Sequence, residues 1–390
     1  MTWVRKSLAT LALPSTLVAT LFVSEVALAD LVITMGGDVN FNKDEQSVKP
    51  DGVMIGGKKI PFTNFTKGIS HLINGDLNFA NVETVVSDRT DLKQASKKFT
   101  FISHPNSIQH MIDIGFNMFS LANNHSYDYG INGLIETHEQ FADLQQKNPA
   151  IVYVGGGSNR EAAAIPVVFD IQGYKVAFAS IGIVESGYQA TDKKPGLLNI
   201  RNEKDFALQM KALKDVQADL KIISMHFGTE AQVKLDSGQQ KLYNRAIDEG
   251  DVDLIIGHHP HVVRPVEMVK GRLIIYSLGN YLMPGAANID GRPLGYDYGL
   301  FSRVYFGWDS TEKRLKAQAM EAVPLKSMHI SPVVAKKDVA AKRIQYLNNL
   351  SKSEVGKTAV SFTTRADGTG IACANAKTTV FTARASKVCQ

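Results

Sequence analysis

Ile256-Gly257-His258-His259-Pro260-His261-Val262 is the stretch on which the reading of this chain turns. An apolar run at 252–256 stops at a glycine and is followed at once by three imidazoles. Two of them bracket a proline, whose ring restricts the backbone and helps aim both side chains. Four patches upstream repeat the same grammar: Gly37-Asp38-Val39-Asn40, Asn81-Val82-Glu83, Asn123-Asn124-His125-Ser126-Tyr127-Asp128 and His226-Phe227-Gly228-Thr229-Glu230. A single Asp, Asn or His after a strand is ordinary. Five such patches in order predict ligands gathered at one edge of a sheet, which is how a binuclear metallohydrolase is built.

The segments between the patches supply that sheet. Apolar runs at 31–35, 77–80, 118–122 and 151–154 read as buried strands, with helical patterns at 65–73, 107–114 and 131–145 between them. Strand–helix alternation with short connections predicts an α/β sheet covered by helices. After residue 165 the style changes. Hairpins are expected around Gln172-Gly173 and Lys270-Gly271, with helices at 204–216 and 236–249 ahead of strands at 220–225 and 252–256. Two α/β halves with hairpins suggest a mixed-sheet sandwich. A catalytic body of 30–330 is expected, then a helix at 339–351 and a small β tail within 331–390.

Carboxylate, amide and imidazole donors suit borderline divalent metals such as manganese, zinc or iron. Asp38, Glu83, Asn124, His226, His259 and His261 are the candidate metal ligands. Asn81 and Glu83 lie two apart and so share a face of their strand. His125 is a candidate general acid, with Asp128 behind it to hold its tautomer. Glu230 is a candidate for the metal's surroundings or the reaction itself, and Asn81, Asn123 and Asn280 for contact with substrate. Gly228 would let a ligand approach the backbone, and His258 is expected to make a structural hydrogen bond. Each of these residues alone would also suit a turn, a salt bridge or a satisfied core histidine; it is their company that favours a metal site. No Gly-x-Ser-x-Gly elbow is present, which argues against a serine hydrolase.

The 390 residues are 44% hydrophobic and 21% charged, ordinary globular usage. The formal net charge of +5 is dispersed, and with no dense basic stripe a nucleic-acid partner is not expected. Lys93, Lys97 and Lys98 read as a solvated face. Arg5 and Lys6, an apolar stretch at 8–23 and Ala27-Leu28-Ala29 read as a secretory signal peptide over 1–29. Secretion across the inner membrane to the periplasm or cell envelope would follow. A retained anchor is the rival, but the apolar run is short and broken by Pro14, Ser15 and Thr16. Cys373 and Cys389 could form one disulfide in an oxidising compartment, worth about 3 kcal/mol in the chain-entropy estimate.

These patches resemble the CapA family, capsule-synthesis proteins associated with poly-γ-glutamate. The match runs through Gly37-Asp38, Asn81-Val82-Glu83, 121–130 with its Asn-Asn-His, His226-Phe227-Gly228-Thr229-Glu230, 256–262 and Tyr276-Ser277-Leu278-Gly279-Asn280-Tyr281. The resemblance implies a calcineurin-like metallophosphoesterase fold, a four-layer α/β/β/α sandwich, to which the pattern beyond 330 adds a small C-terminal appendage. It implies metal-ligand roles for Asp38, Asn124, His226, His259 and His261, with His125 assisting the leaving group. Two positions depart from the superfamily pattern: Asn40 stands where a His is usual, and Asn81 and Glu83 where a bridging Asp is usual. The implied function is an exported accessory role in synthesis, transport or anchoring of a polyglutamate-type polymer through a metal-dependent, hydrolase-like site. Its partners would be the anionic polymer or its precursor and capsule-synthesis membrane proteins. The alternatives are a non-catalytic polymer-binding factor and a periplasmic metallophosphoesterase.

Overall fold

The computed structural model describes residues 30–41, 48–185, 187–284 and 286–390. The expected signal peptide lies outside the described residues. Consecutive strand residues point to opposite faces, so a continuously apolar strand needs a covered layer on each side. Ile222-Ile223 and Ile255-Ile256 show this directly. Ile222 and Ile256 enter a cluster with Ile33, Met35, Phe79 and Phe178, where two sheets face each other. Ile223 and Ile255 turn the other way, onto Phe206, Met210, Tyr243 and Ala246 of the helices Glu203–Asp215 and Ser237–Gly250. On the far side of the first sheet, Ala80 and Phe119 pack on Ile108 and Met111 of helix Pro105–Asp113 and Phe141 and Leu144 of helix Gly130–Lys147. The layers are therefore α/β/β/α, as the resemblance implied.

The first sheet runs Thr363–Thr364, Gly370–Cys373, Arg314–Lys326, Gly299–Asp309, Leu31–Val39, Leu77–Val82, Met118–Ser120, Val152–Val154. Leu31–Val39 is parallel to Leu77–Val82 and antiparallel to Gly299–Asp309. The second runs Val167–Ile171, Tyr174–Gly182, Leu220–His226, Leu254–His258, Arg272–Ile275, Val266–Val269. Its inner strands are parallel and its outer pairs antiparallel hairpins, at the two turns expected from Gln172-Gly173 and Lys270-Gly271.

Three features differ from expectation. The helix expected at 65–73 is a five-residue helix, Phe62–Thr66, followed by a 3-10 turn at Ser70–Leu72. The long antiparallel pair Gly299–Asp309 and Arg314–Lys326 was not anticipated at all. The tail forms no separate β-element: Gly370–Cys373 adds to the Arg314–Lys326 strand at the edge of the first sheet. Helix Lys337–Val355 sends Ile344 and Leu347, both fully buried, into the cluster between the two sheets. Cys373 and Cys389 are joined by a disulfide.

Candidate metal centre

Parallel strands end together, and register does the rest. Asp38 is level with Asn81 on one neighbour and with Asn280 on the other, while His226 is level with His258 in the second sheet. Gly37 permits this crowding: a Cβ there would lie 1.8 Å from the Gly279 carbonyl oxygen. His259 and His261 then turn inward on backbone that only close packing would hold, at φ +93° and +56°. Such left-handed non-glycine residues cost on the order of 1–3 kcal/mol each and persist where the surroundings over-determine them.

The carboxylates of Asp38 and Glu83 are completely buried. Asp38 accepts a hydrogen bond from the Asn81 amide at 2.8 Å. Glu83 accepts none on either oxygen from any described residue. Three imidazoles ring it instead: His226 Nε2 at 3.4 Å, His261 Nε2 at 3.8 Å and His125 Nε2 at 4.0 Å. His226 Nε2 also stands 2.7 Å from Asn124 Oδ1 and 3.2 Å from His259 Nδ1. One N–H can serve only one of these neighbours, whereas a cation among them serves all. Two ligand groups meet the spacing a metal needs, Glu83 with His226 and His259, and Asp38 with Glu83 and His261. Glu83 belongs to both. A buried carboxylate without donors is costly unless a cation completes it, so these residues fit divalent metal.

The electrostatics agree. Burial first, then the charges of His226 and His261, press the His259 pKa down to about 2, so its ring is neutral and one ring nitrogen keeps a lone pair. Burial and the nearby Glu83 push Asp38 up to about 6, against His226, His261 and Asn81. Burial also opposes ionisation of Glu83, but the imidazoles of His261 and His226 outweigh it and hold this carboxyl well below its usual range. For His261 burial works against charge, and Glu83, Asp38 and the Asn280 hydrogen bond outweigh it, raising its pKa to about 9.

Behind the ligands stand residues that aim them. His125 Nδ1 lies 2.6 Å from Asp128 Oδ2, so Asp128 accepts that proton and Nε2 faces the cluster. Phe101 covers the ring at 4.3 Å between centroids. Asn280 Oδ1 is 2.7 Å from His261 Nδ1, and its amide nitrogen is 2.6 Å from His329 Nε2. His329 Nδ1 bonds the Ala287 carbonyl. The chain of donors is self-consistent: His329 donates to Ala287, Asn280 to His329 and His261 to Asn280, which leaves His261 Nε2 facing Glu83.

Several expectations need restating against this geometry. Asn81 and Asn123 are fully buried. Asn123 donates to the Val82 carbonyl at 2.8 Å and accepts from the His125 N–H at 3.1 Å, so it shapes the loop. Asn280 lines the adjoining cleft while orienting His261. Glu230 stands at the mouth, its side chain 59% exposed and 4.0 Å from His259. His258 makes no hydrogen bond to a described residue; both ring nitrogens are bare and the ring stacks on Phe79 at 5.2 Å. Burial holds it neutral. Gly228, at φ +135°, admits Arg264 rather than a ligand, since a Cβ would meet the guanidinium at 2.7 Å. Lys97 is no surface lysine: its side chain is 13% exposed, 2.8 Å from Asp128 Oδ1 and 2.6 Å from the Asn124 carbonyl. Nothing in its Lys-rich neighbourhood signals that, because the partners lie 27 and 31 residues away.

A cleft of about 480 Å³ opens from His125, His261 and Asn280. A larger cavity of about 710 Å³, bordered by Trp308, Gln318 and Val380, has no histidine among the described residues of its wall. The chemistry therefore belongs to the smaller one.

Fold and cluster together define a four-layer α/β/β/α sandwich with a His–carboxylate centre fit for divalent ions. Residues 32–284, more than half of the chain, match the family model of the bacterial capsule synthesis protein PGA_cap. The chain belongs to that family. It is 31% identical over 220 residues to the capsule biosynthesis protein CapA of Bacillus anthracis, covering 54% of this chain and 51% of that protein. It is 32% identical over 206 residues to the PGA biosynthesis protein CapA of Bacillus subtilis, covering 52% of each. A probable polyglutamine synthesis accessory protein of Mycobacterium tuberculosis is 31% identical over 218 residues, with 53% and 55% covered. The chain thus spans about half the length of these relatives. Among solved structures, a phosphatase from Mycoplasma pneumoniae aligns with a TM-score of 0.44 at 15% identity, over 77% of this chain and 94% of that one.

Proposed function

We propose that this protein is an exported accessory factor in the synthesis, transport or anchoring of a polyglutamate-type capsule or envelope polymer. In this reading its metal centre hydrolyses an amide or ester of the polymer or its anchor. The observation that carries the chemistry is Glu83, buried with neither oxygen hydrogen-bonded to a described residue, at the junction of two candidate ligand groups. The polymer comes from the family and the names of its relatives. Export is supported by the basic, apolar and Ala-x-Ala pattern of 1–29, and no described helix is long and apolar enough to cross a membrane.

Asp38, Glu83, Asn124, His226, His259 and His261 would hold the metal, of which manganese, zinc and iron suit the donors. When bound, such an ion supplies Lewis acidity, polarising the scissile group and easing ionisation of water near neutral pH. The chain's own residues do the rest. His125, its tautomer held by Asp128, offers Nε2 to protonate the leaving atom. Lys97 braces Asp128 and the Asn124 backbone together. Phe101 shields one face of the acid from water. Glu230, exposed at the cleft mouth 4.0 Å from His259, is placed to hold an incoming water. The anionic polymer is the expected partner, with capsule-synthesis membrane proteins beside it.

Elemental analysis of wild type against Asp38→Ala and His259→Ala tests the centre. Near-stoichiometric metal in wild type, absent from both variants, is expected. Metal-loaded protein should cleave a γ-glutamyl oligomer, and His125→Ala should slow this about 10²–10⁴-fold with metal retained. No metal after reconstitution, or normal polymer production in cells carrying either His125→Ala or His259→Ala, sinks the catalytic reading in favour of a binding scaffold.

A further inference from the structure

The cleft that leaves the metal centre has an unusual wall. Phe99, Phe101, Met283, Ile289 and Tyr296 make it largely apolar and aromatic. Phe99 is 60% exposed, a large ring left open to solvent at the rim. Arg292 is the only lysine or arginine among the described residues of that wall, and Glu230 the only acid. The Arg292 side chain is exposed and makes no ion pair with any described residue. Most arginines of the chain behave otherwise: Arg245, Arg264, Arg272, Arg303, Arg314 and Arg384 are all tied to carboxylates.

Its position matters as much as its freedom. His261 bonds Asn280 and Asn280 bonds His329. Burial first, opposed by the Ala287 hydrogen bond, then the charges of His261 and Arg292 lower the His329 pKa, which puts Arg292 within electrostatic reach of that relay. Arg292 shares the wall of this cleft with Asn280 and His329, the groups that orient His261. It faces an apolar channel that suits methylene chains. A planar fork of donors beside an apolar channel matches a carboxylate at the end of a short aliphatic arm.

We infer that Arg292 is the specificity residue of this cleft, pairing with a free carboxylate of an acidic, amide-linked chain close to the bond held at the metal centre. The aromatic wall then packs on the aliphatic part of the same residue. This rests on the polymer reading above and gives it a recognition element.

The test uses metal-loaded mature protein in which every sample carries His125→Ala so that the probe outlasts the reading, wild type below meaning wild type at position 292. The probes are a fluorescein-labelled γ-glutamyl oligomer and a matched oligomer whose free carboxylates are carboxamides. Anisotropy reads the affinity. Wild type should bind the carboxylate oligomer about tenfold more tightly than the carboxamide, the low end for a hydrogen bond to a charged group. Arg292→Ala should lose that factor and leave the carboxamide oligomer unaffected. Arg292→Lys should recover part of it. Lys211→Ala, on an outer helix, should change nothing, which separates a local pair from general positive charge. Arg292→Ala should keep the wild-type melting temperature, because the side chain is exposed and unpaired. Equal binding of the carboxylate oligomer by wild type and Arg292→Ala overturns the assignment while the polymer reading stands. Wild type that binds neither oligomer removes the polymer reading and the assignment together.

Discussion

At Glu83 two buried oxygens accept no hydrogen bond from any described residue, and at His226 one nitrogen meets three neighbours. These are opposite faults, and one cation cures both. Added manganese or zinc should therefore raise the thermal midpoint of wild type by linkage, and Glu83→Gln should lose that rise. A Glu83→Gln protein that keeps the full metal-induced shift in differential scanning fluorimetry would show that the carboxylate is not a ligand. Backbone strain gives a second test. At φ +93° His259 occupies a region glycine accepts and alanine resists. His259→Gly should therefore be more stable than His259→Ala by about 1 kcal/mol or more, both without metal, as urea unfolding would show. Lys97 matters through Asp128, which it holds from inside the protein. Lys97→Met should cost about 1.5–3 kcal/mol, the range for a hydrogen bond to a charged group, far beyond the near-zero effect of a surface lysine.

Elements explain how much of this was readable. That Asp38, Glu83, Asn124, His226, His259 and His261 would lie together was legible because each follows an apolar run, and parallel strands deliver their ends to one edge. The roles of Asn280, Asn123 and His258 were not, because a side chain's partners depend on what packs from the opposite sheet. The antiparallel pair Gly299–Asp309 and Arg314–Lys326 carries no motif and went unread, although it borders the first strand. The C-terminal helix is also more deeply involved than its sequence suggests. Leu347 is fully buried between the sheets. Leu347→Ala should cost about 2–5 kcal/mol in urea unfolding while leaving metal content unchanged in the folded protein. A cost below about 1 kcal/mol would mean that the helix packs only loosely.

Across the whole molecule, a charged cluster ties the second sheet to the first. Asp251 meets Arg272 at 3.0 Å, Arg314 at 2.9 Å and Lys221 at 3.4 Å. Burial opposes its charge, but Arg314, Arg272 and Lys221 outweigh it and hold its pKa at about 2. A depressed carboxylate contributes stability above its unfolded value near about 4, and loses it as pH falls toward the folded value. Asp251→Asn keeps a residue that tolerates the left-handed backbone at φ +54°. Its melting temperature should fall below wild type at neutral pH, and the gap should close as pH drops from about 4 toward about 2. A gap unchanged across that range would mean the charge contributes nothing. The side chain is 42% exposed, so solvent screening makes the effect modest.

The sequence by itself determined the alternation of strand and helix, the two hairpins and the ligand-type residues at strand ends. Those follow from periodicity and turn chemistry, which act over a few residues. Only the tertiary structure decided that Glu83 stands in both candidate ligand groups, that Lys97 is internal, that Asn280 and His329 aim His261, and that Arg292 lines the cleft without an ion pair to any described residue. Each of those depends on atoms brought together from tens to hundreds of residues apart, where the packing of two sheets sets the distances and local pattern does not.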